Sequence, residues 1–91
     1  MREFSELYLR NMGVRRGNHF QQFFCQHPSF ITNLEEVTVK RSRYFDICNQ
    51  CGKTLVEGAI DYPLDTFIQA LQTEHSPEVE LFINGYKYYK N

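Results

Sequence analysis

The sequence predicts an α+β fold: three short helices and two antiparallel β-hairpins, in the order α-α-β-β-α-β-β. Three observations carry this. Apolar residues recur at helical spacing near the N-terminus and again from Leu64 to Leu71. Between Glu36 and Ile47 the period changes to two. Asn84-Gly85 separates two short alternating runs, and both residues tolerate the positive φ of a tight hairpin turn. At 91 residues the chain amounts to a single domain, 1–91.

The elements follow in order. Glu3 to Met12 places Phe4, Leu7, Tyr8 and Met12 at helical spacing, with Gly13 as the stop. Val14 to Gly17 reads as a loop. Asn18 caps a second helix that carries Phe20, Phe23 and Phe24 on one face. Pro28 ends it by Gln26 or His27, because the residue before a proline avoids helical geometry. Val37, Val39, Phe45 and Ile47 then alternate as a strand rich in β-branched and aromatic types. Lys53 to Glu57 returns as its partner, broken by Gly58 and Asp61-Tyr62-Pro63. Leu64, Phe67, Ile68 and Leu71 give the i, i+3, i+4, i+7 pattern of the clearest helix, ended by Ser76-Pro77. Val79, Leu81 and Ile83 alternate before the Asn-Gly turn, and Tyr86 to Tyr89 resumes after it.

Composition narrows the function classes. Eight Phe and six Tyr supply large apolar area for a small core. No apolar run approaches the ~20 residues that span a bilayer, and MREFSELYLR is charged and amphipathic, unlike a secretory leader. The expectation is a soluble cytoplasmic protein with no membrane partner. The net charge of −1 excludes a protein held on nucleic acid by its overall field. The front half is mildly basic, and the back half is acidic through Glu57, Asp61, Asp65, Glu74, Glu78 and Glu80. Three cysteines without a secretion signal point to metal binding or free thiols rather than a disulfide framework.

The most specific stretch is Cys48-Asn49-Gln50-Cys51-Gly52-Lys53. A two-residue spacer lets two thiolates face one ion, and glycine after the second cysteine lets the backbone fold beneath it. Over these six residues the chain resembles one knuckle of a zinc ribbon, which implies a zinc knuckle at the tip of a β-hairpin. A structural zinc needs four ligands. Cys25-Gln26-His27, at the end of the second helix, supplies the missing pair, so the candidate set is Cys25, His27, Cys48 and Cys51. Cys-x-His is tighter than the usual spacing, which leaves His19 and His75 as substitutes for His27. Sulfur-rich donors suit zinc better than magnesium or calcium. Three other readings stand beside it. The cysteines could instead be small buried hydrophobes. A redox pair would sit at a helix N-terminus, but Lys53-Thr54-Leu55-Val56 reads as strand. A phosphate loop would need glycine where Ile47 stands.

Elsewhere, Arg15, Arg16, Lys40, Arg41 and Arg43, with neighbouring aromatics, are the candidate nucleic-acid contacts. Strand geometry sends Lys40 to one face and Arg41 and Arg43 to the other, so a solvated edge explains them as well. Tyr86, Tyr88 and Tyr89 are the candidate partner surface. No serine has a nucleophile-elbow context, and no carboxylates have acid–base spacing. The sequence therefore predicts a non-enzymatic regulatory or inhibitory protein-binding module with a structural zinc site, of the size common among viral and mobile-element regulators. A zinc-knuckle module for DNA or RNA and a CxxC thiol redox protein are the alternatives.

Overall fold

The computed structural model describes residues 2–74 and 80–89. The described residues form a mixed five-stranded sheet with three helices. Helix α1 spans Glu6–Asn11, and Ser5 Oγ accepts a hydrogen bond from Tyr8 N (3.1 Å) at its N-terminus. Helix α2 spans His19–Phe24 and α3 spans Leu64–Glu74. The strands are β1 (Phe30–Thr38), β2 (Arg41–Cys48), β3 (Thr54–Ile60), β4 (Leu81–Ile83) and β5 (Tyr86–Lys87). Their order across the sheet is β3-β2-β1-β4-β5. Only β1 and β4 run parallel; the other neighbours are antiparallel.

Two sequence expectations about the strands need correction. The single strand expected from Glu36 to Ile47 is two strands, with a turn at Val39 and Lys40. The additional strand, β1, is the central one. Its buried run Ile31–Leu34 shows no apolar alternation because both faces are covered. Ile31 and Asn33 face α1, while Thr32 and Leu34 face α3, so polar and apolar side chains fall on each side. Val37 and Val39, which alternate convincingly in the sequence, are exposed at the turn end of the β1–β2 hairpin. Second, Gly58 does not break its strand. It lies opposite Tyr44 in β3, and a Cβ there would clash with the Tyr44 ring and hydroxyl. The glycine lets that ring lie across the sheet toward Phe67, with ring centroids 5.7 Å apart. Gly58→Val is expected to cost about 1–3 kcal/mol by overpacking, read as a lower urea midpoint with an unchanged m-value.

The helix expected from Glu3 to Met12 is shorter, Glu6–Asn11, and Leu7 of its expected apolar face is exposed. Helix α3 covers Leu34 with Phe67 and Ile68, and Leu64 and Leu71 pack beside them. Asn84 (φ +52°) and Gly85 (φ +83°) form the two-residue turn between β4 and β5. Ser76-Pro77 and Val79 lie outside the described residues.

The sheet separates two apolar layers. On one side the N-terminal segment and α1 bury Phe4, Leu9, Met12 and Val14 against Ile31, Phe45, Ile47 and Phe82. On the other side α3 closes over Leu34. Polar side chains inside the fold are matched. Asn33, fully buried, donates to Tyr8 Oη (3.1 Å) and accepts from Gly85 N (2.9 Å). Thr32 donates to Asp46 (2.9 Å), and Ser42 to the Tyr62 carbonyl (3.0 Å). Among the described residues no buried side-chain nitrogen or oxygen lacks a partner.

Candidate metal centre

Cys48 is the last residue of β2 and Thr54 the first of β3, so CNQCGK forms the turn between two antiparallel strands. Cys48 N donates to the Lys53 carbonyl (2.9 Å), and Gly52 N donates to the Cys48 carbonyl (3.0 Å). These bonds curl the turn so that both thiols face the same side. Gly52 is required twice. Its φ of +78° favours glycine, and a Cβ would approach Leu9 Cδ1 to 2.8 Å and Arg16 Cα to 3.3 Å.

The second pair of donors arrives from α2. Asn18 and Gln21 form a reciprocal capping box, with Asn18 Oδ1 accepting from Gln21 N (2.8 Å) and Gln21 Oε1 from Asn18 N (2.9 Å). The helix ends at Phe24, and Cys25 follows in extended geometry. His27 then takes φ +51°, a left-handed conformation disfavoured for a residue with a Cβ. That bend resolves the short Cys-x-His spacing. It turns His27 N toward Cys25 Sγ (3.4 Å) and brings the imidazole back to the same point as the thiol. Strain of this kind persists only where surrounding structure holds it, and it concentrates at functional sites. The following segment is clamped to the knuckle: Ser29 Oγ donates to Asn49 Oδ1 (2.7 Å), and Asn49 N donates to the Ser29 carbonyl (3.3 Å).

Cys25, His27, Cys48 and Cys51 thus offer four donor atoms that all lie within 4.8 Å of one another. Cys25 Sγ is 3.7 Å from Cys48 Sγ, and Cys51 Sγ is 3.5 Å from His27 Nδ1. A tetrahedron around an ion about 2.3 Å from sulfur and about 2.0 Å from nitrogen has S···S edges of about 3.8 Å and S···N edges of about 3.5 Å. All three cysteines are free, and Cys48 and Cys51 are buried. Burial pushes the Cys48 thiol up, but hydrogen bonds from the Cys51 backbone, His27 and the Gln50 backbone outweigh it and bring it down to about 7. Burial first, then the neighbouring Cys48 and Cys25 sulfurs, raises Cys51 to about 11. Crowded, desolvated thiols of this kind favour a cation among them.

The structure separates the remaining candidates. His19 lies in the first turn of α2, outside the four-residue cluster, and His75 falls outside the described residues. Arg15 and Arg16 flank Gly52, and Arg16 pairs with Glu3 (3.7 Å). Lys40 sits in the β1–β2 turn, Arg41 pairs with Asp61 (3.7 Å), and Arg43 stands across from Glu35 in register. Lys40, Arg41 and Arg43 therefore lie toward the end of β2 away from Cys48, with Arg43 about 17 Å and Arg41 about 23 Å from it at 3.3 Å per residue. The five basic residues do not form one surface. Tyr86 and Tyr89 are exposed, whereas Tyr88 packs into the layer under α3.

Sequence reasoning did not anticipate the state of α2. None of its residues is buried. Phe20, Phe23 and Phe24 are 73%, 80% and 65% exposed. The signal available in the sequence was the helix's brevity, between Gly17 and Pro28. No helix among the described residues is long and apolar enough to cross a membrane. Comparison with protein-family models, curated proteins and solved structures found no match to the chain.

Proposed function

We propose that this chain is a small non-enzymatic module that binds another protein and carries one structural zinc on Cys25, His27, Cys48 and Cys51. One observation supports it above the others. The four donors converge within 4.8 Å at the C-terminal end of a helix that buries none of its own residues. A six-residue helix has no stability of its own. Among the described residues, its hydrogen bonds to the knuckle are Gly17 N to the Cys51 carbonyl (2.8 Å) and Gln22 Nε2 to the same oxygen (3.2 Å). A metal joining Cys25 and His27 to the knuckle accounts for the helix being held in place. The sulfur-rich set selects a soft or borderline ion, and four protein ligands complete a tetrahedral shell, as structural zinc sites require. The reading is of a scaffold whose metal fixes a surface, and a regulatory or inhibitory role follows from presenting that surface to a partner protein.

Elemental analysis of protein purified without added zinc is expected to give about one equivalent, absent in Cys48→Ala. Metal-free protein with native stability would overturn the reading. Protons compete for the thiolates. With Cys51 raised to about 11, zinc entry at neutral pH displaces its proton; below about pH 7 the Cys48 thiolate must also be won back from a proton. Apparent affinity, measured by competition with a chromophoric chelator, should therefore fall as pH is lowered, and more steeply below pH 7.

A further inference from the structure

The exposed face of α2 calls for a partner. Phe20 and Phe24 rings lie 4.7 Å apart, and Phe23 meets Phe24 edge-on at 5.2 Å, with an interplanar angle of 85°. They form one aromatic knob on the surface. Beside it lies a cleft of about 500 Å³, with Phe23 in its wall together with Arg2, Arg16, His19 and Lys53. Its one carboxylate is Glu3, which pairs with Arg16. The surrounding chain is equally one-sided: no Asp or Glu occurs from Leu7 to Leu34, a span that includes Arg10, Arg15 and Arg16.

We propose that this knob and cleft dock an acidic segment of a partner protein, with an aromatic or large aliphatic anchor against the Phe rings and flanking carboxylates toward Arg16 and Lys53. The inference rests on the reading above that the metal fixes α2. Charge complementarity selects the occupant. A second copy would bring the same cleft, whose wall holds Arg2, Arg16 and Lys53 against Glu3, up to its own likeness, which is repulsive. A single-stranded nucleic acid needs open ring faces for stacking, but these rings pack edge-on and tilted against one another. A bilayer surface has no side chain to enter a cleft.

The test is selection of phage-displayed random 16-residue peptides against the zinc-loaded protein, with the Phe20→Ser/Phe23→Ser/Phe24→Ser variant as counter-target. Zinc content is measured on every sample. Enriched peptides should carry an apolar anchor flanked by Asp or Glu. A synthetic consensus peptide should bind at least tenfold more weakly to the triple variant and to Arg16→Glu, both retaining one zinc. The interaction should also weaken as salt rises. No enrichment, a basic or uncharged consensus, or equal binding to the triple variant overturns the proposal. So does Phe-dependent dimerisation in sedimentation, oligo-dT binding, or co-pelleting with phosphatidylserine vesicles, each lost in the triple variant. Absence of zinc from the wild-type protein would instead count against the metal reading, and the two failures are read separately.

Discussion

Cys48→Ala protein is expected to carry less than about a tenth of an equivalent of zinc and to lose about 4 kcal/mol of stability relative to the zinc-loaded form. The magnitude follows from linkage: an ion present at about a thousand times its dissociation constant stabilises the folded state by about 4.1 kcal/mol. Cys48 is the donor to test because it is fully buried and terminates β2. Its side chain is small, so the cavity left by alanine contributes little beside the lost metal. Excess chelator on the wild-type protein should reproduce the loss, and chelator added to Cys48→Ala should change nothing further. The damage should begin locally. Amide hydrogen exchange is expected to rise first in α2 and residues 25–29, because α2 has no buried side chain to hold it. The sheet lies beyond the centre and should retain protection longer. Equal loss of protection across the chain would show that the metal supports the whole fold and not chiefly the placement of one helix.

Phe45→Ala is expected to cost about 3–5 kcal/mol, as large-to-small changes at fully buried aromatics do. For a domain whose total stability is on the order of 5–15 kcal/mol, this removes a large fraction. Phe45 is fully buried on β2, and Phe4 meets it edge-on with centroids 5.1 Å apart. The Arg2 guanidinium lies over the same group of rings, 4.6 Å from Phe4 and 5.4 Å from Phe45, while pairing with Glu35. Removing the ring therefore leaves a cavity and unseats the N-terminal segment that roofs that face. Urea denaturation is the measurement. At low urea the variant should still hold zinc, since Phe45 is not among the donors. Phe45→Ala thus loses stability with metal retained, and Cys48→Ala loses stability because metal is lost. Coincident loss of zinc in both would show that the core and the centre form one cooperative unit.

How much of this was legible in the sequence depended on how local the determining physics is. The turn at Asn84-Gly85 needs two adjacent residues that accept positive φ, and α3 needs only its own apolar stripe. Both could be read directly. Cys48 and Cys51 were legible because a two-residue spacer decides whether thiols can share an ion. The Cys25–His27 pair was harder, since its spacing works only through the left-handed bend at His27. Strand β1 was hidden because its polar residues are satisfied by distant partners: Thr32 by Asp46, and Asn33 by Tyr8 and Gly85. No local pattern reveals that such residues are interior. The α2 phenylalanines show the converse case. Helical spacing tells which side chains share a face, but not whether anything covers that face.

The placement of β4 beside β1 sets an order of assembly. Strand β1 pairs in parallel with Leu81–Ile83, and Asn33 receives its hydrogen bond from Gly85, 52 positions further along the chain. Thr54 reaches back equally far to the Arg2 carbonyl. On the ribosome, the β1–β2–β3 meander emerges with the outer side of β1 unpaired. That edge stays open until Leu81–Ile83 has been synthesised. Contacts this distant in sequence slow folding, because loop closure must be completed before they contribute. A chain halted before residue 81 would present Ile31–Leu34 as a bare edge, which is a template for pairing with another nascent copy.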